Sequence, residues 1–223
     1  MFEVIQAIED PYQSKYYQSI ISEHPIKDVR DLALFKLLFF TKIEKYSKYK
    51  DEYFEKYKAQ FPDGKFIKTV MREFSPDRAI VIGKMIPDFK LPRLENLKDS
   101  ISAKDLLGKY TLIDVWGTWC APCRVEMPHL DSAYKLFKNK NFNILSIAFD
   151  NSPATVQKLR EGKWKMPWTH AFATGLYDNP IADIFQITGV PTVFLIDPQG
   201  KIIETDENLK RENLIPTLQK YLK

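Results

Sequence analysis

The stretch Trp116-Gly117-Thr118-Trp119-Cys120-Ala121-Pro122-Cys123-Arg124 decides how this chain is read. Its two cysteines stand three apart and are the only 2 in the sequence, so any thiol chemistry is confined to this site. A CxxC pair can hold a disulfide, supply half a metal site, or be idle. The flanks narrow that choice. Tyr110 to Trp116 is an apolar, β-prone run that predicts a buried strand, and Arg124 to Lys138 predicts a helix. A strand–CxxC–helix order puts the first thiol at a helix N-terminus, where the positive end of the backbone dipole stabilises a thiolate. Cys120 is therefore expected to attack. Cys123, about one turn further on, is expected to be more buried and to resolve the mixed disulfide. A zinc site lacks partners: there is no second CxxC, and the histidines are His24, His129 and His170.

Composition bounds the rest. The chain has 223 residues, 44% hydrophobic, 13% aromatic and 28% charged, which suits packed domains rather than disorder. A net charge of +4 with both signs interspersed leaves no nucleic-acid footprint. No stretch approaches the roughly 18 apolar residues of a spanning helix. Met1-Phe2-Glu3 lacks the basic start and apolar segment of a signal peptide, so the expectation is a cytoplasmic protein or a mature, trimmed chain.

The pattern changes at Gly83. Residues 1–82 are rich in Lys, Tyr and Phe and predict a small all-α unit. One helix is expected from Pro11 to Ile21. Two more are expected within Asp28–Tyr57, with a bend near Thr41 and an apolar stripe of Val29, Leu32, Ala33, Phe35, Leu37 and Leu38, continued by Ile43 and the tyrosines. A last one is expected around Lys65 to Phe74. Residues 83–223 alternate strand and helix. Ile101–Leu107 reads as a brief helix capped by Ser100 or Ser102. Strands are expected at Phe142–Phe149, Trp168–Ala171, Thr192–Asp197 and Ile202–Thr205, the last two joined at Pro198-Gln199-Gly200. Helices are expected at Ser152–Gly162, Pro180–Phe185 and Arg211–Leu222. The fold class is α/β: a mixed sheet flanked by helices, preceded by a small all-α domain.

The CxxC motif, the following Glu126-Met127-Pro128, the Gly189-Val190-Pro191-Thr192 turn before a strand, and the opening Gly83-Lys84-Met85-Ile86-Pro87-Asp88-Phe89 together resemble the thioredoxin-like fold. Within it they look most like the TlpA/ResA-type thiol–disulfide oxidoreductases of the bacterial cell envelope. The likeness covers residues 83–223, with a central insertion at about 152–177. Residues 1–82 resemble the N-terminal extensions of Bacteroidetes-type relatives.

The resemblance implies roles. Pro191 matches a cis proline beside the CxxC, and Val190 would offer its backbone to an extended substrate strand, a form of β-augmentation. Asp114 matches the buried acid that takes a proton from the resolving cysteine. Glu126 matches an active-site glutamate that tunes the thiols and contacts substrate. Trp119, partly exposed, and Pro122 would line the substrate side. No cofactor or metal is expected. The partners implied are disulfide-containing proteins and a membrane thiol-transfer reductant. The function read here is reduction of protein disulfides in the cell envelope or periplasm. Two alternatives stand beside it: a thiol peroxidase on the same fold, although Gly117 stands where such sites carry Thr or Ser, and an interaction protein whose helical domain recruits a partner.

Overall fold

The computed structural model describes residues 10–12, 14–162 and 164–222. The chain forms two compact units that divide between Asp77 and Arg78. The division falls ahead of Gly83 because residues 78–86 bond within the second unit. The Ala79 N–H donates to Gln186 Oε1 at 2.8 Å, and the Gly83 and Ile86 N–H groups donate to the carbonyls of Ile202 and Gly200, each at 2.8 Å.

The first unit holds helices α1 (Lys15–Glu23), α2 (Lys27–Phe40), α3 (Lys50–Gln60) and α4 (Ile67–Phe74), with a 3₁₀ segment at Glu44–Tyr49. The first helix starts later than the sequence predicts, because Pro11 and Tyr12 form a turn. The inward face of α2 is also rotated from the predicted one. Leu34, Leu37 and Leu38 are buried, while Leu32 is exposed. The burying partners are Tyr53, Phe54, Tyr57 and Phe61 from α3 and its end, and Val70 and Phe74 from α4. One carboxylate lies inside this cluster. Asp31 accepts from the Tyr57 hydroxyl and, at 2.7 Å, from the Lys65 N–H. Gly64 is required beside it: a Cβ there would stand 2.7 Å from Phe61 Cβ and 2.8 Å from the Tyr57 hydroxyl.

The second unit is built on a five-stranded sheet of order β5-β4-β3-β6-β7. Its strands are β3 (Tyr110–Trp116), β4 (Phe142–Phe149), β5 (Thr169–Ala173), β6 (Thr192–Ile196) and β7 (Ile202–Thr205). β3, β4 and β5 run parallel, and β6 and β7 are antiparallel. A separate antiparallel pair joins β1 (Lys90–Pro92) to β2 (Ser100–Ser102). The brief helix predicted at Ile101–Leu107 is thus part strand and part 3₁₀ turn, Ala103–Leu106. Pairing with β1 claims the backbone of Ser100–Ser102, and Ser102 then caps the turn through Asp105.

Strand alternation sorts the core into two layers. Leu112, Trp116, Ile144, Ala148 and Leu195 face the long helix α5 (Ala121–Phe137), α6 (Pro153–Glu161) and α8 (Leu214–Tyr221). Ile113, Val115, Leu145, Ile147 and Phe194 face α7 (Pro180–Ile184) and the β1–β2 segment. The disulfide region sits where β3 feeds α5, at the carboxyl ends of the parallel strands, where ligands of open α/β sheets bind.

Candidate active site

Cys120 is the N-cap of α5, and Pro122 occupies the first turn, where its missing N–H costs no helical hydrogen bond. The helix therefore begins at the dithiol itself rather than after it. Cys120 and Cys123 form a disulfide, and the Cys123 N–H donates to Cys120 Sγ at 3.1 Å. The sequence analysis expects Cys123 to be the more buried of the two. In the disulfide form both are 3% exposed. Cys120 lies against the Val190 carbonyl, while the preceding Trp119 is 49% exposed.

The loop before Cys120 is pinned from β4. The Asp150 carboxylate accepts from both the N–H and the hydroxyl of Thr118, each at 2.8 Å. The Trp119 indole donates to the Phe149 carbonyl at 2.8 Å. Gly117 lies under that indole: a Cβ would stand 2.5 Å from Trp119 Nε1 and 2.8 Å from the Phe149 carbonyl oxygen, so only glycine fits. Sequence reasoning missed Asp150, because its partner is 32 positions away in the loop after β3.

The Val190–Pro191 peptide is cis, and the Val190 carbonyl oxygen lies 3.6 Å from Cys120 Sγ. The Val190 backbone also hydrogen-bonds the Tyr177 hydroxyl, and the Tyr177 ring packs edge-on to Trp119 at 6.4 Å between centroids. Burial pushes the Tyr177 hydroxyl above its ordinary range, so it stays protonated. Tyr177 links Trp119 to the Val190 turn, and nothing in its sequence neighbourhood singles it out.

The two carboxylates lie on different elements. Glu126, buried on α5, accepts from the Arg211 N–H at 2.8 Å, with Arg211 Nε 3.6 Å from its other oxygen. A groove of about 300 Å³ runs along Glu126, Pro122 and Pro191, bordered by Lys210, Arg211 and Glu207. Asp114 is buried in β3, on the face turned to α5 between Leu112 and Trp116. It accepts from the Ser146 hydroxyl at 3.0 Å. Burial pushes its carboxyl up to about 7, the Ser146 bond opposes that rise, and the Glu126 charge adds to it. His170, fully buried on β5, is driven down to about 3, chiefly by burial. Its Nε2 lies 3.0 Å from the Met166 carbonyl oxygen. His129 takes no part in these contacts. Among the described residues no group of three or more His, Cys, Asp or Glu could hold a metal ion.

A CxxC disulfide at a helix N-terminus, beside a cis-proline turn and on the sheet face that carries a buried acid, defines a thiol–disulfide protein of thioredoxin-like fold. Known proteins agree. Residues 82–205 match the AhpC/TSA family. Over 150 residues the chain is 33% identical to the thiol-disulfide oxidoreductase ResA of Bacillus cereus, covering 67% of this chain and 82% of that protein. The thioredoxin domain of a Bacteroides vulgatus thiol-disulfide oxidoreductase superposes with a TM-score of 0.58 at 29% identity, covering 64% of this chain and 99% of that domain. A Bacteroides fragilis thiol-disulfide oxidoreductase superposes at 0.56 with 26% identity, covering 62% and 100%. The chain belongs to the AhpC/TSA family and, within it, to the ResA-type thiol–disulfide oxidoreductases.

Proposed function

We propose that the protein reduces disulfides of other proteins, with Cys120 as the attacking thiol and Cys123 as the resolving thiol. The observation that carries this reading is the position of Cys120 Sγ. It caps a helix, takes the Cys123 N–H at 3.1 Å, and stands 3.6 Å from the Val190 carbonyl oxygen. The helix dipole and the donated N–H favour a thiolate there. The Cys120 thiolate attacks a substrate disulfide, forming a mixed disulfide and expelling one substrate thiolate. Asp114 takes the Cys123 proton, and the Cys123 thiolate attacks Cys120 Sγ. The intramolecular disulfide forms as the second substrate thiolate leaves. Two electrons pass to the substrate, and the two expelled thiolates are protonated.

Trp119, Pro122, Val190 and Pro191 form the substrate face in this reading. Glu126 borders it, held by Arg211, and adds negative charge that keeps a proton near Asp114. A membrane thiol-transfer protein regenerates the dithiol, and the site of action is the cell envelope. Both follow from the ResA-type resemblance. No helix among the described residues is long and apolar enough to cross a membrane.

The test is Cys123→Ser. Mixed disulfides with protein substrates should accumulate on Cys120 and vanish in the Cys120→Ser variant. An untrapped Cys123→Ser protein, together with a wild type that reduces no disulfide, refutes the reading. The direction of electron flow is read from the equilibrium with glutathione: a potential near about −270 mV fits a reductant, and one near about −120 mV an oxidant.

A further inference from the structure

Asp114 is not alone beneath the dithiol. Parallel pairing sets Asp114 opposite Ser146, and Ser146 opposite His170. All three side chains project from the sheet face that α5 covers, since they share the face of Leu112, Ile144 and Phe172. The Ser146 hydroxyl lies 3.0 Å from Asp114 Oδ2 and 2.9 Å from the Trp168 indole nitrogen. Asp114, Ser146 and Trp168 are all buried.

Donor chemistry fixes the direction of this chain. An indole N–H can only donate, so Ser146 Oγ must be the acceptor for Trp168. A hydroxyl carries a single hydrogen, and an ionised Asp114 can only accept, so that hydrogen points at Asp114. With Asp114 ionised the order Trp168→Ser146→Asp114 runs one way, and Asp114 receives a hydrogen bond that stabilises its charged form.

We propose that Ser146 and Trp168 are positioning residues for Asp114: the indole orients the Ser146 hydroxyl, and the oriented hydroxyl sets how readily Asp114 takes the Cys123 proton. The proposal rests on the proton-acceptor role given to Asp114 above. In the resolving step Cys123 S–H gives its proton to the Asp114 carboxylate. The electron pair left on sulfur then forms the Cys123–Cys120 bond as the substrate thiolate departs. The carboxyl later returns its proton to solvent. Without the Ser146 bond Asp114 would be protonated already at working pH and could not accept. With stronger donors it would bind the proton too weakly.

The charges around Asp114 are few. Glu126 on α5 pushes its proton affinity up, while the Ser146 bond pulls it down. His170 on β5 is neutral near pH 7, because burial and the Arg160 charge from α6 both oppose its protonation. Opposite Asp114 on β6 stands Val193, which carries no charge. Ser146 is thus the polar side chain bonded to Asp114, and Trp168 is what aims it.

The experiment titrates Asp114 directly, through its carboxyl carbon-13 shift in the oxidised full-length protein. Ser146→Ala should raise the midpoint by about one pH unit, a tenfold change in proton affinity, and Trp168→Phe by about half a unit. Ser146→Thr, which keeps the hydroxyl, should stay within about 0.3 of wild type. A midpoint unmoved or lowered in Ser146→Ala or in Trp168→Phe overturns the proposal, because a loss of packing alone would relieve the burial that raises Asp114 and move the midpoint down. A second readout separates this claim from the one beneath it. Reduced protein is mixed with dithiobis(nitrobenzoate), and resolution of the Cys120 adduct is followed against pH. If the wild type shows no pH step that Asp114→Asn removes, the proton-acceptor role fails, while the carbon titration still decides the positioning role. If that step is present and Ser146→Ala leaves it in place, only the positioning role fails.

Discussion

Asp31 in the helical unit and Asp114 in the sheet unit, which also buries Asp150, are held in opposite ways. Asp31, in the helical unit, is met by the Tyr57 hydroxyl and the Lys65 N–H, so it ties α2 to α3 and to the turn before α4. The carboxylate and burial together hold the proton on Tyr57 far above the ordinary phenol range. Asp114, in the sheet unit, is bonded by one hydroxyl inside an apolar layer, and its carboxyl rises to about 7. A buried carboxylate with backbone and side-chain donors fastens a fold. One with a single side-chain donor keeps its affinity for a proton, which is what the acceptor role proposed for Asp114 calls for.

Mutation and pH can break or sharpen this contrast. The largest effect should come from the histidine in the same row as Asp114. His170 is lowered to about 3, so between its unfolded value and pH 3 the unfolded chain binds the extra proton and stability falls as pH falls. The loss reaches about 5 kcal/mol at the acid end. His170→Gln should abolish that slope in urea melts of the oxidised protein. An unchanged slope would mean that His170 is protonated in the native state.

Asp114 should act with the opposite sign. Its folded value, about 7, lies above the unfolded one, so the native state binds the extra proton and stability falls as pH rises from about 4 through 7. Asp114→Asn should gain up to about 4 kcal/mol at pH 8 and little at pH 4, while slowing resolution of the mixed disulfide. In the wild type these two slopes oppose each other between about pH 4 and 6.5, so the single variants reveal what the parent hides.

Asp31→Ala should cost about 2 kcal/mol at neutral pH, because it strands the buried Tyr57 hydroxyl and frees the part-buried Lys65 N–H. It should leave the exchange rate of the dithiol untouched, and a matching loss of reductase rate would erase the distinction between the two aspartates. The smallest effect belongs to Asp105, exposed and held by the Ser102 hydroxyl and N–H, which lower its carboxyl. Its stabilisation is present above its unfolded value and is lost as pH falls through the lowered one. Asp105→Ala should therefore cost about 1 kcal/mol at pH 7, a capping effect, and almost nothing at the acid end of a denaturation series.

Much of this architecture is written in local pattern. Phe142–Phe149 is a strand in both sequence and structure, because eight consecutive residues suit a strand buried on both faces. Ser100–Ser102 is not legible in that way: three residues carry no period, and only pairing with β1 makes them a strand. The same holds at the site. The cysteines, Glu126 and the Val190-Pro191 turn carry motif spacing. Asp150, Tyr177, Ser146 and Trp168 have none, since each reaches its partner across strands or from a distant loop.

By itself the amino-acid sequence determined the order of elements, the dithiol at a helix start and the family to which they belong. These depend on contacts within one helical turn or one strand, where spacing and backbone geometry leave few choices. Only the tertiary structure decided which donor reaches Asp114, which clamp holds Thr118 and which residue grips Glu126. Parallel strands are joined by long crossovers, so no tight turn sets their register. The partner of a buried polar atom is whatever that register brings within hydrogen-bonding distance.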